Sequence, residues 1–316
     1  MKTILVPLDG SALAEQILPS VRSMATLMPS TIHLLHVVSE ADRYHLLFDD
    51  PYNFGEPSLP ATPGAATQQA TVATSWDILR QNATTYLSEQ AERLNAAGFH
   101  AEYEIRLGDA PEVIAETAAN TRANMIAMAT HGYSGLRRWA LGSVTDKVLH
   151  ITNTPMLIVR GSAHKDGDPK FKRIMLTLDG SPLARQAIPL AVEIASEAQA
   201  ELVLMTAVAP PYLQAPELMG AYYAYDEALV AVRDRLKDEL GAYAEVLNQH
   251  NVAVEPVAVS GLPAEAIVDE AEERKVDLIV MATHGAGGLR RWALGSVADK
   301  ILHASNTPLL VVRAQE

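Results

Sequence analysis

One stretch of this chain is written twice, and that constrains the possible folds more than any other feature. Ala129-Thr-His-Gly132, nine residues, then Gly142-Ser143 returns as Ala282-Thr-His-Gly285, nine residues, then Gly295-Ser296, a displacement of 153. A second pair, Thr3-Ile-Leu-Val-Pro-Leu-Asp9-Gly-Ser11 and Arg173-Ile-Met-Leu-Thr-Leu-Asp179-Gly-Ser181, is displaced by 170. The chain is therefore a tandem duplication. The first copy carries 17 extra residues (170 − 153) between its opening strand and its glycine motif. Their expected place is about Glu40 to Trp76, rich in Pro, Gly, Ala and Thr; it reads as a loop or lid, with disorder the equal alternative. The units so defined are residues 1–160, a polar, turn-rich linker over 161–170, and residues 171–316.

Each copy alternates strands with helical patterning. Strands are expected near 3–8, 31–38, 101–106, 123–130 and 155–160, and again near 172–178, 201–208, 253–259, 276–283 and 308–313. Runs such as Thr31-Ile-His-Leu-Leu-His-Val-Val38 are almost continuously apolar, which requires cover on both faces and so a parallel sheet between helix layers. Helical periodicity marks Leu79 to Leu94 and Glu227 to Leu247. The fold class is α/β, two tandem doubly wound domains.

With 316 residues and 48% apolar content, each half has material for its own core. The absence of Cys removes disulfides, thiol catalysis and Cys-ligated metal. No export signal or run of roughly 20 apolar residues is expected, and a net charge of −13 opposes nucleic-acid or anionic-membrane binding, so a cytoplasmic protein is the expectation.

The candidate site follows from where the repeated residues fall. Asp9 and Asp179 end the first strand of each copy, where an open parallel sheet presents its crevice and a carboxylate can accept from ribose hydroxyls; the alternative is a helix cap, or a turn with Gly10 or Gly180. Gly132 and Gly285 follow a strand, and Gly142-Ser143 and Gly295-Ser296 open a helix, whose N–H groups and dipole favour an anion by roughly 0.3–1 kcal/mol from the dipole alone. Ser143 with Asp146, and Ser296 with Asp299, also have capping-box spacing, so ligand binding and capping both stand. Between the glycines, Arg137, Arg138, Arg290 and Arg291 are either phosphate clamps or solvated charges, while Trp139 and Trp292 read as packed anchors. His131 and His284 have no second ligand at metal spacing, and no Walker A motif, nucleophile elbow or paired carboxylates point to a catalytic step.

At these residues the chain resembles the universal stress protein family in its tandem form. The family's ATP signature, Gly, two residues, Gly, nine residues, Gly and Ser or Thr, is matched at Gly132, Gly142 and Ser143 and at Gly285, Gly295 and Ser296, with Ala129 and Ala282 replacing the first Gly. The resemblance implies a five-stranded parallel sheet of order 3-2-1-4-5 per domain and an adenine nucleotide, ATP, ADP or AMP, with or without magnesium. In the first copy it implicates Pro7, Leu8, Asp9, Val37 or Val38, Met128, Ala129, His131, Gly132, Gly142, Ser143, Val144 and Thr145. In the second it implicates Thr177, Leu178, Asp179, Ala207 or Val208, Met281, Ala282, His284, Gly285, Gly295, Ser296 and Val297. Thr177 for Pro7 and Ala298 for Thr145 make the copies unequal and favour the first.

The resemblance further implies pairing of the last strands, Pro155-Met-Leu-Ile-Val-Arg160 with Pro308-Leu-Leu-Val-Val-Arg313, into an intramolecular pseudo-dimer, and allows a dimer of whole chains. Three functions remain at this level. The first is a stress-response binding module that passes nucleotide occupancy to a protein partner; the others are a slow ATPase or adenylyl-transferring enzyme, and a nucleotide-free scaffold.

Overall fold

Every apolar run named above forms a strand in the computed structural model, which describes residues 1–40, 42, 65–130, 142–160, 167–210, 222–248, 252–283 and 295–314. The first half runs β1 (Lys2–Pro7), a 3-10 turn (Ala14–Ile17) leading into α1 (Leu18–Leu27), β2 (Ser30–Val38), α2 (Ala65–Ala96), β3 (His100–Leu107), α3 (Ala110–Asn120), β4 (Met125–Thr130), α4 (Ser143–Ile151) and β5 (Met156–Arg160). The second half repeats it: β6 (Arg173–Thr177), a 3-10 turn (Ala184–Ala187), α5 (Ile188–Ala198), β7 (Glu201–Val208), α6 (Tyr222–Asn248), β8 (Ala253–Ser260), α7 (Pro263–Glu273), β9 (Leu278–Ala282), α8 (Ser296–Ala304) and β10 (Leu309–Val312). Pro stands in the first turn of α1, α3, α5 and α7, where its fixed φ suits the helix and its missing N–H costs nothing.

The strands form one ten-stranded sheet of order β3-β2-β1-β4-β5-β10-β9-β6-β7-β8. Within each half the order is the expected 3-2-1-4-5 and all pairings are parallel. The halves join through the antiparallel pair β5–β10, in which Leu310 faces Leu157. These two residues are also counterparts in the repeat, 153 apart, so a local two-fold axis passes between them and the join is self-complementary. The pseudo-dimer lies within one chain, and each half protects an edge the other would expose.

Strand alternation divides the buried residues between two faces. Ile4, Val6, Ile32 and Leu34 meet α1 and α2 through Val21, Met24, Leu87 and Leu94, and the second half extends this face with α5 and α6. Leu5, Leu35, Ile126 and Met128 meet α3 and α4 through Val113, Ile114, Val148 and Leu149, extended by α7 and α8. Both faces are buried, as nearly unbroken apolar strands require.

Side chains also bind the halves together. Arg160, at the end of β5, donates to the carbonyls of His303 and Ser305 where α8 ends, at 2.5 and 3.4 Å. Its counterpart Arg313 donates to Leu149 and His150 where α4 ends, at 3.2 and 3.1 Å. Each half thus supplies the cationic C-terminal cap of the other half's last helix. Arg22 on α1 grips both carboxylate oxygens of Asp168, and Ser23 donates to the Pro169 carbonyl. The part of the expected linker that is described, residues 167–170, is therefore bound to α1; residues 161–166 lie outside the described residues.

One expectation is corrected. Within the stretch read as a loop or lid, residues 65–76 are the opening turns of α2, a helix that reaches Ala96 and starts well before Leu79. Pro51, Gly55, Pro57, Pro60, Pro63 and Gly64 all precede this helix, whereas Ala65 to Trp76 holds four Ala among Thr and Gln, a composition a helix accepts. The repeat locates the extra length: 26 residues separate β2 from α2 against 13 between β7 and α6, and α2 starts four residues earlier in register. Residues 41 and 43–64 of the insertion lie outside the described residues. No described helix is long and apolar enough to cross a membrane.

Candidate functional site

The C-terminal ends of β1, β2 and β4 converge with the N-terminal ends of α3 and α4 around a cavity of about 200 Å³. An open parallel sheet places its crevice at this edge, because the strand order reverses there and the helices α1 and α4, which come after β1 and β4, lie on opposite faces. Pro7, Leu8 and Asp9 enter from β1, Val37 from β2, Met128 and Ala129 from β4, and Gly142, Ser143, Val144 and Thr145 from the start of α4. All ten were expected from the sequence. Val38 does not line the cavity: Leu35 and Val37 share the face that packs on α3 and α4, and the period-two pleat turns Val38, 1% exposed, to the other. His131, Gly132, Arg137, Arg138 and Trp139 lie outside the described residues, as do His284, Gly285, Arg290, Arg291 and Trp292.

The local geometry bears on the turn and capping alternatives. The Asp9 Oδ1 accepts from the Ser11 N–H at 2.9 Å, and the Asp179 Oδ1 from the Ser181 N–H at 3.0 Å. Gly10 and Gly180 both sit at φ +82, a conformation that excludes an ordinary side chain. The aspartates thus build the turn after the first strand, and Asp9 still faces the cavity. The capping-box reading of Ser143 and Ser296 is corrected. The N-cap positions belong to Gly142 and Gly295, which make no side-chain cap, and the serines are the first helical residues. Nothing on α4 itself therefore takes the first-turn N–H groups of Ser143, Val144 and Thr145, which line the cavity. Uncapped N–H groups with the positive end of a helix dipole suit an anion. The apolar wall from Pro7, Val37 and Met128 suits a flat ring.

Other wall residues were not singled out from sequence: Ser11, Leu13 and Ala14 after β1, Leu35 on β2, Ala110 and Ile114 on α3, and Thr130. Leu35 could have been found as the same-face neighbour of Val37, two residues away. Thr130 lies inside the repeated motif, and its Oγ1 accepts the Gly142 N–H at 3.1 Å, tying β4 to the start of α4. Ala110 and Ile114 come from a crossover with no sequence link to the motif.

In the second half the corresponding turn is closed differently. The Gly295 N–H donates to the Thr283 backbone carbonyl at 2.8 Å, while the Thr283 Oγ1 receives the Ala314 N–H at 3.4 Å. Thr177, Leu178, Met281 and Ala282 are all buried, Val297 packs on the core beside them, and Ala298 fills the position of Thr145. Ala207 shares the face of Met281, and Val208 alternates away from it.

On the opposite sheet face, next to Asp9, His36 stands edge-on to Tyr86 with ring centroids 6.4 Å apart. Burial pushes the imidazole below its ordinary pKa, against the opposing pull of Asp42, Asp9 and the Leu8 backbone. Its Nδ1 is buried without a hydrogen-bond partner among the described residues. Tyr86 donates to the Glu15 Oε1, which also accepts from Gln90, both at 3.0 Å. Burial first, then Glu15, holds the phenol far above its usual range. Among the described residues no group of three or more His, Asp or Glu is placed to hold a metal.

The family model described as the Universal stress protein family matches residues 1–160 and again 170–313. A universal stress protein of Mycolicibacterium smegmatis is 26% identical over 318 residues, spanning 98% of this chain and 96% of its own. Universal stress protein YxiE of Bacillus subtilis is 31% identical over 147 residues, 45% of this chain and 99% of its own length. In fold, the chain is similar to the crystal structure of a universal stress protein from Archaeoglobus fulgidus, with TM-score 0.71, 23% identity and 98% of each chain covered.

Proposed function

Because the chain belongs to the universal stress protein family, in its tandem two-domain form, we propose that it is a stress-response binding protein whose first half holds an adenine nucleotide as a regulatory ligand. The observation that carries this reading is the uncapped start of α4 facing a cavity with an apolar wall and a carboxylate. The N–H groups of Ser143 and Val144 and the Ser143 hydroxyl would take the phosphates, the free side of Asp9 a ribose hydroxyl, and Pro7, Val37 and Met128 the base. These groups bind and orient. No described residue is placed as a base or nucleophile toward a phosphate, and any magnesium would enter with the phosphates.

Occupancy has a physical route to the other half. α4 is nine residues long, with the ligand at one end and the Arg313 cap from the second half at the other. A partner reading the join between the halves would then sense the first site. The cytoplasm, where adenine nucleotides are abundant, is the proposed location.

Isothermal titration of ATP, ADP and AMP into nucleotide-free full-length protein tests the reading, with Ser143→Pro as the variant. Proline is tolerated at the first helical position, and Gly142 already has φ −53 and ψ 131, which a following proline accepts. The substitution removes one N–H and one hydroxyl from the anion site while sparing the fold. Affinity should fall at least tenfold, about 1.4 kcal/mol, with an unchanged melting temperature. Absence of binding by all three nucleotides below millimolar concentration would refute the proposal.

A further inference from the structure

A second cavity, of about 660 Å³, adjoins the first, and the two share Ala110, Ser143 and Val144 in their walls. The shared residues are the first turns of α3 and α4. An anion held by α4 would therefore sit at a junction between two chambers. Beyond the junction the wall includes Trp76 from α2, Glu40, Asp109 and Lys147. Asp109 stands at the N-cap of α3, where Asp ordinarily accepts from the helix's own N–H groups, yet its carboxylate makes no capping bond.

The repeat supplies an independent comparison. Matching bonds fix which residues correspond: Leu8 N–H to the Leu35 carbonyl with Leu178 to Met205, Gly108 to Val38 with Gly261 to Val208, and, at the ends of α2 and α6, Ala101 N–H to the Asn95 Oδ1 with Val254 to Asn248. Ser39, Glu40, Trp76 and Asp109 fall on Ala209, Pro210, Leu229 and Leu262, whereas Lys147 falls on Lys300. Four positions around this one cavity are polar or aromatic in the first half and apolar in the second. One wall position changes in the opposite sense, Leu107 falling on Ser260.

We propose that the second cavity is the subsite for the distal half of a dinucleotide whose adenosine occupies the first. The pyrophosphate lies at the junction on the α4 N–H groups, with Lys147 one turn along the helix. Trp76 packs on the second ring, and Glu40 and Asp109 accept from the second ribose. Two carboxylates make the chamber hostile to a bare phosphate tail and suited to hydroxyls. The volume lies within the range of pockets that enclose small ligands. This assignment rests on the nucleotide reading above and narrows its ligand class.

The test compares ADP with NAD⁺ and diadenosine diphosphate by calorimetric titration of the full chain. It is repeated with the double variant Trp76→Leu/Asp109→Leu, which copies the second half. Either dinucleotide should bind at least tenfold tighter than ADP, and the double variant should erase that advantage while ADP affinity stays within twofold. Dinucleotides binding no tighter than ADP, or an advantage that survives in the variant, would overturn the subsite and leave the nucleotide reading standing. Failure of ADP and both dinucleotides to bind would overturn the nucleotide reading itself. The comparison in the unmodified protein decides the matter even if the double variant does not fold.

Discussion

Replacing Arg160 by Met removes a cap that one half of the molecule supplies to the other, and its cost can be worked from the contacts. Arg160 is 8% exposed and donates at 2.5 Å to the His303 carbonyl, with a longer bond at 3.4 Å to Ser305. A hydrogen bond from a charged donor contributes about 1.5–3 kcal/mol, and the long bond adds little. Methionine refills the space of the aliphatic stem, so little cavity cost is added. Against the loss stands the desolvation that a buried guanidinium carries and Met does not. The balance should be a net destabilisation of about 1–3 kcal/mol, with the carbonyls at the end of α8 left unpartnered. Urea unfolding of the full chain should show a lower midpoint with an unchanged slope. Hydrogen exchange should quicken selectively at Ile301 to Ser305, because the lost cap belongs to that helix alone. Arg160→Lys should recover only part of the loss, since an ammonium is more strongly hydrated than a guanidinium and costs more to bury at this site. Arg313→Met, at a half-buried site with bonds of 3.2 and 3.1 Å to Leu149 and His150, should cost less and act on α4 instead. A midpoint unchanged or raised by Arg160→Met would refute the view that the exchanged arginines hold the halves together.

Other expectations follow from the same contacts. Thr130→Val deletes the hydroxyl that receives the Gly142 N–H; it should cost about 1 kcal/mol in denaturant unfolding and weaken nucleotide binding in titration, whereas in the second half the Gly295 N–H meets the Thr283 backbone carbonyl. Leu157→Lys places a charge on the local two-fold axis at a fully buried position facing Leu310; thermal melting should show at least 3 kcal/mol of lost stability or separate transitions for the halves. Burial lowers the folded-state pKa of His36 from 6.5, so the unfolded chain binds a proton first as pH falls. The neutral imidazole's contribution is complete above pH 6.5 and is lost as pH drops through the folded-state value. His36→Thr, which copies Thr206 of the second half, should flatten the dependence of stability on pH below that point, and an unchanged profile would exclude His36 as its source.

The duplication and the ten strands were legible in the sequence because each rests on local or repeated patterning, whereas the strand order followed from the family resemblance. Apolar runs such as Thr31 to Val38 must be strands buried on both faces, and a motif that returns at fixed spacing must return in the same fold. Ten of the first-half wall residues were legible from the repeated motifs and the family resemblance, because each ends a strand or begins a helix there; seven others, among them Leu35, Ala110 and Ile114, were not. The start of α2 was missed because Pro and Gly at 51–64 coloured a window that also held the helix-forming residues 65–76. The capping of α4 could not be read either, since Ser143 followed by Asp146 has the same spacing whether Ser is the cap or the first helical residue. One residue of phase separates a closed helix end from one open to an anion.

What the sequence determined alone is everything written in short-range periodicity: two copies of one α/β unit, each with its strand ends and its glycine turn. Only the tertiary structure decided what depends on distant parts of the chain meeting. It chose Val37 over Val38, brought Ala110, Ile114 and Trp76 to the cavities, and set Arg160 and Arg313 on each other's helices across 143 to 164 residues of chain. Such contacts leave no local trace, because the energy that selects them comes from burial and hydrogen bonding between elements. That selection exists only once the sheet has assembled.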